Sequence, residues 1–189
     1  MSVRSARLAL LLTLAAVYGT LSGARVVTEW LREQNLLRVA VGLGFAGALA
    51  GMVGALQGAR ARPGFYPALL AVILVYTLVL AGVESPEERL HLLEYGLVGL
   101  LARRSLSGSL AAAPVRGVLV AVLLTLFAGW LDEGLQGLLP TRHYDPRDVV
   151  LNTLAAALAL ASEALFGWVA RRERPPSPPR IHARSNTTP

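Results

Sequence analysis

The chain has 189 residues, 54% of them hydrophobic and 16% charged, with a mean hydropathy of +0.52. A soluble domain carries roughly 25% charged residues. Here the charges gather in short islands between nearly charge-free runs, which excludes an ordinary soluble fold and leaves little chain for a separate soluble domain. All 18 basic residues are Arg, the net charge is +6, and there is no Cys, so disulfides, thiolate chemistry and Cys-ligated zinc are excluded.

The first apolar run, about Leu8 to Ala24, follows Arg4 and Arg7 and reads as a membrane span. A cleaved signal peptide is the alternative, because a basic start, a short apolar run and the imperfect cleavage site Ser22-Gly23-Ala24 fit that pattern. The stretch from Arg25 to Arg38 reads as a linker of mixed charge. The second span, Val39 to Ala59, carries Gly44, Gly47, Gly51, Gly54 and Gly58 on one helical face. A second helix can approach closely there, so the face reads as a packing stripe and as a route to a homo-oligomer. Arg60 and Arg62 end that span, and Pro63-Gly64 makes a turn.

The third span runs from Phe65 to Val83. Ser85-Pro86-Glu87-Glu88 then has the form of a capping box, with Pro at the first helical position and Glu three residues after Ser. A fourth helix therefore starts at about Pro86 and runs to Ala102, where Arg103 and Arg104 stop it. At 1.5 Å per residue it is roughly 25 Å long, just short of a hydrocarbon core of ~30 Å. The fifth span covers Val115 to Leu138, before Pro140. The sixth begins with Asp145 as N-cap, Pro146 as first helical residue and Asp148 in the first turn, and ends before Arg171 and Arg172. The Pro- and Arg-rich tail to Pro189 reads as disordered, and its Asn186-Thr187-Thr188 sequon is discounted on a cytoplasmic tail.

Arginine placement sets the orientation. With the N-terminus inside, 12 arginines fall on inside segments (Arg4, Arg7, Arg60, Arg62, Arg103, Arg104, Arg116 and five in the tail) and 6 on outside loops. The expectation is an all-α polytopic transmembrane bundle of about six helices with both termini cytoplasmic, in the inner (plasma) membrane of a bacterium. The bacterial reading comes from the absence of Lys beside abundant Ala, Leu and Gly, a GC-rich bias. Residues 1–64 form an N-terminal hairpin, 65–170 a four-helix membrane domain and 171–189 the tail. Because the arginines flank apolar spans, membrane lipids rather than nucleic acid are the expected partners.

This topology brings polar residues from three segments to one outer level. His91, Glu94 and Tyr95 share a face of the fourth helix. Asp132, Glu133 and Gln136 end the fifth, the following loop carries Arg142, His143 and Asp145, and Asp148 and Asn152 lie four apart at the start of the sixth. Ionisable groups in a membrane bundle are costly and normally pair or face a watery cavity. Asp132 and Glu133 also sit at a helix C-terminus, where the macrodipole disfavours negative charge, so they call for a partner. Arg142, Arg147 and a protonated His91 or His143 are the cations on offer. Tyr95 reads as an interfacial aromatic. A structural salt-bridge network and a ligand or catalytic site both remain open on these residues.

The run His91-Leu-Leu-Glu94-Tyr95, then Asp132-Glu133-Gly-Leu-Gln136, Pro140-Thr-Arg142, Asp145 and Asp148-Val-Val-Leu-Asn152-Thr153 resembles the VanZ-like family over about Phe65 to Ala170. Where that family often has Gly three residues after the Asn, this chain has Ala155. The resemblance implies a bacterial membrane protein, with glycopeptide susceptibility as the associated phenotype. The functional expectation is an outward-facing pocket formed by His91, Glu94, Tyr95, Asp132, Glu133, Gln136, Arg142, Asp148 and Asn152 that takes an envelope lipid or a glycopeptide-like amphiphile. Arg142 and the N-terminus of the last helix would hold a phosphate or carboxylate. One alternative is a hydrolase or transferase acting on an envelope lipid, with His91 and Glu133 as acid and base and Asp132 and Asp148 holding a cation, although no nucleophile motif or metal spacing appears and no cofactor is expected. The other alternative is a structural scaffold.

Overall fold

The chain's helix starts are set by caps that the structure realises directly. This computed structural model describes residues 1–55, 63–83, 85–108, 113–140 and 144–172, without the side chains of 21–25, 52, 53, 55 and 87. Among the described residues there are seven helices and no strand: α1 (Val3–Gly19), α2 (Leu21–Glu33), α3 (Leu37–Ala55), α4 (Phe65–Gly82), α5 (Pro86–Ser105), α6 (Pro114–Gln136) and α7 (Pro146–Arg172). Ser85 Oγ accepts from the Glu88 N–H at 3.0 Å, so α5 starts at the predicted proline. Asp145 Oδ1 accepts from the Arg147 N–H at 2.8 Å, and α7 starts at Pro146. The C-terminus of α4 is tied to the start of α5 by the Arg89 guanidinium, which donates to the Val83 carbonyl at 2.9 and 3.1 Å.

Three helices, α4, α6 and α7, are long and apolar enough to cross a membrane, with mean hydropathies of 2.2, 1.9 and 1.8. The first predicted span ends earlier than expected. The helix stops at Gly19, and the segment read as a linker forms α2 instead. Val27, Trp30 and Leu31 recur on one face of α2 while Arg25, Thr28, Glu29 and Arg32 fall elsewhere, so the mixed charge marks an amphipathic helix rather than a loop. Asn35 closes it with φ of 55°, and the Leu36 and Asn35 N–H groups donate back to Leu31 and Arg32 in a Schellman pattern.

α5 is the hub, touching α1, α3, α6 and α7. It is the most charged of the long helices, yet Leu92, Tyr95, Val98, Leu101 and Ala102 are all buried. Its contact with α7 is close because Gly96 and Gly99 carry no side chains. A Cβ on Gly99 would lie 2.7 Å from Ala156 Cβ, and one on Gly96 would lie 3.7 Å from the Ala155 carbonyl oxygen. Within the chain this is a small-residue approach of the kind expected of glycine faces. Of the α3 glycines, Gly44 meets Leu93, while Gly47, Gly51 and Gly54 have no neighbour within 4 Å. Gly58 lies outside the described residues.

α1 runs antiparallel to α5. Arg7 Nε donates to the Ser105 carbonyl at 3.4 Å, and at the other end Val17 packs against the core of Val83, Leu92 and Tyr95. α4 lies at the edge, with Phe65, Ala68 and Val72 packed on Phe166 and Val169 of α7. One end of the bundle thus collects Arg4, Arg7, Arg103, Arg104, Arg116, Arg171 and Arg172, where Arg104 pairs with Glu163 at 3.4 Å. The other end collects the start of α5, the end of α6 and the start of α7.

Candidate functional site

Of the polar residues expected at one level, Tyr95, Asp132, Glu133, Gln136 and Asn152 are buried inside the bundle. The last turns of α6 present Thr125, Ala128, Gly129, Asp132, Glu133 and Gln136 to the interior. Tyr95 and Asp132 are 0% exposed, Glu133 1%, Gln136 4% and Asn152 0%. Burying a carboxylate is costly unless donors replace the water it loses. Tyr95 Oη donates to Asp132 Oδ2 at 2.8 Å, joining α5 to α6. Gln136 Nε2 donates to Glu133 Oε1 at 3.0 Å, and the Asp145 backbone N–H donates to Glu133 Oε2 at 3.1 Å, joining α6 to the cap of α7.

Among the described residues, then, a phenol, an amide and a backbone N–H donate to these two carboxylates. Tyr95 corrects one expectation outright. It is no interfacial aromatic, because the ring is fully buried and its hydroxyl is committed to Asp132. The tilt of the His91 ring against Tyr95, with 6.1 Å between centroids, places His91 beside that pair.

His91, Glu94 and Asp148 are less buried than this group. His91 Nδ1 stands 3.8 Å from Glu94 Oε2, and both side chains are partly exposed. Asp148 is half-buried in the first turn of α7. Arg142 and His143 lie outside the described residues, as do Arg60, Arg62 and the tail from 173 onward. No group of three or more His, Asp and Glu among the described residues is placed to hold a metal ion.

Asn152 differs from its neighbours. Its Oδ1 and Nδ2 are both buried, and neither has a hydrogen-bond partner among the described residues. Its side chain lies against Gly129, where a Cβ would come within 3.1 Å of Asn152 Cβ and 3.2 Å of Nδ2. Gly129 sits one helical turn from Asp132 and Glu133 on the same buried face of α6. An amide offers two donor hydrogens and an acceptor oxygen, so this position can satisfy a group that both gives and takes hydrogen bonds.

Two residues of this site carry no obvious chemistry in the sequence. Gly129 makes room for Asn152, and the small-residue spacing Gly117, Ala121, Thr125, Gly129 along α6 was the available signal. Tyr18 of α1 donates to the Ala128 carbonyl at 3.0 Å and closes the α1 side of the same level. The chain matches no protein-family model, no curated protein and no solved structure.

Proposed function

We propose that this chain is a six-span inner-membrane protein of the VanZ-like kind, with both termini in the cytoplasm. Its buried polar cluster, at the outer end, receives the polar head of an envelope lipid or a similar amphiphile. The observation that carries this reading is Asn152. A fully buried amide with neither polar atom bonded costs about 1–3 kcal/mol relative to a satisfied one, and such a cost is sustained where a bound group supplies the missing partners. The resemblance at His91, Glu94, Tyr95, Asp132, Glu133, Gln136, Arg142, Asp148 and Asn152 supports the same placement and attaches it to glycopeptide susceptibility. The collection of arginines at the opposite end supports the orientation.

The test is Asn152→Leu, which keeps the approximate volume and removes both polar atoms. The purified full chain, mixed with a total bacterial lipid extract, is examined by native mass spectrometry and by thermal unfolding in detergent. Site occupancy should fall at least tenfold, while the ligand-free protein unfolds at the same or a higher temperature, since an unsatisfied buried amide has gone. Unchanged lipid adducts would sink the proposal.

A structural lock is the second reading, favoured by the bonds from Tyr95 to Asp132 and from Gln136 and Asp145 to Glu133. It requires loss of folded Asp132→Asn protein in detergent, with lipid adducts unchanged in Asn152→Leu.

A further inference from the structure

At the arginine-rich end, far from the polar cluster, α4 and α7 leave a groove of about 440 Å³ between them. Ala68 and Ala71 on α4 form one wall, and Leu165 and Val169 on α7 form the other. The small alanines leave the space between the helices unfilled there, while Phe65 against Phe166, with centroids 5.7 Å apart, holds the helices together beside it. From Gly64 to Ala71 the groove follows roughly 10 Å of helix axis.

The mouth is chemically different. Trp168 lines it and is 49% exposed, and the Arg172 guanidinium lies 5.0 Å from the Trp168 ring centroid. A stacked indole and guanidinium at the end of an apolar helix pair match the headgroup level of a bilayer, apolar on one side and charged on the other. Among the described residues, Arg172 is the one charged residue lining the groove, and no acid lines it. The last described acid of α7, Glu163, faces Arg104 instead. The groove thus combines apolar walls with a cation at its mouth.

We infer that this groove is a binding site for an anionic phospholipid of the cytoplasmic leaflet. One acyl chain would run between the alanines of α4 and Leu165 and Val169, with the phosphate on Arg172 beside Trp168. The inference rests on the membrane reading of α4 and α7 and is independent of the outer cluster.

The chain has three tryptophans, so replacing Trp30 and Trp130 by Phe leaves Trp168 as the reporter. The full chain is placed in phosphatidylcholine vesicles containing dibrominated phosphatidylglycerol or, at equal mole fraction, dibrominated phosphatidylcholine. Quenching of Trp168 should show about a five-fold preference for phosphatidylglycerol. Arg172→Gln should abolish that preference, Arg171→Gln should leave it, and Ala71→Leu should reduce quenching by both lipids. Equal quenching by the two lipids overturns the site, and equal loss in Arg171→Gln and Arg172→Gln reduces it to diffuse surface charge and overturns it too. Competition by free glycerol phosphate would show a soluble-anion site instead of a lipid site. Quenching by neither lipid would overturn the membrane reading and this site together.

Discussion

Tyr95 and Asp132 show what burial does to a polar pair. The phenol donates to Asp132 Oδ2, so Tyr95→Phe removes a hydrogen bond to a carboxyl group held at 0% exposure. Unfolding in detergent should shift by about 1–3 kcal/mol in the destabilising direction, and an unchanged midpoint would show that the bond is dispensable. Asn35 gives a smaller, cleaner case. Its φ of 55° lies where β-branched residues strain and Gly rests easily, so Asn35→Val should cost about 1–2 kcal/mol while Asn35→Gly is neutral or better. At this scale the sequence spoke plainly wherever chemistry is local. Ser85 and Asp145 announced their caps because a cap needs only a side-chain oxygen and an N–H two or three residues on. It was silent on which donor Asp132 would find, since Tyr95 lies 37 positions away and only packing chooses between it and a cation. Asn152 was identified as a candidate, but its want of a partner depends on Gly129, a residue with no chemistry to notice.

Among the helices, the pairing of α5 with α7 turns on two glycines. Gly99→Ala would place a Cβ 2.7 Å from Ala156 Cβ and 3.0 Å from its Cα, so backbones must part. A destabilisation of about 1–3 kcal/mol is expected from such overpacking. Gly47→Ala on α3 meets nothing within 4 Å and should instead gain up to about 1 kcal/mol from helix propensity. Comparing the two variants by denaturant unfolding in one detergent checks both, and a reversed order would contradict the packing described. The α3 stripe was the most visible glycine pattern in the chain, yet periodicity states only that a close approach is allowed, not which helix makes it. α2 was missed for a related reason. Its charges at Arg25, Glu29, Arg32 and Glu33 looked like loop composition, while the recurrence of Val27, Trp30 and Leu31 was the helical signal.

For the whole molecule, the arginine-rich end and the polar end are opposite faces of one antiparallel bundle. The chain lacks cysteine, so single introductions report sidedness directly. With Leu138→Cys, a membrane-impermeant maleimide should label intact spheroplasts. With Ser107→Cys, labelling should require lysis, both positions being exposed. Labelling of both in intact spheroplasts would refute the orientation. All-helical architecture was legible because α4, α6 and α7 are unbroken apolar runs. The arrangement around α5 was not, because its charge content gives no hint that it occupies the centre.

That central position has a consequence for how the chain is made. Glu88, Arg89, His91 and Glu94 crowd the first turns of α5, and among the described residues the helix falls short of the apolarity that makes α4, α6 and α7 candidate membrane spans. Emerging from the ribosome, α5 meets its shielding partner α1 already synthesised, but Gly96 and Gly99 await Ala155 and Ala156 of α7, 59 and 57 residues downstream in the chain. On the six-span reading proposed above, insertion of α5 is expected to be a deferred event, completed when α6 and α7 follow and bring Asp132 to Tyr95. A nascent chain arrested before α7 would hold α5 at the translocon, still accessible from water.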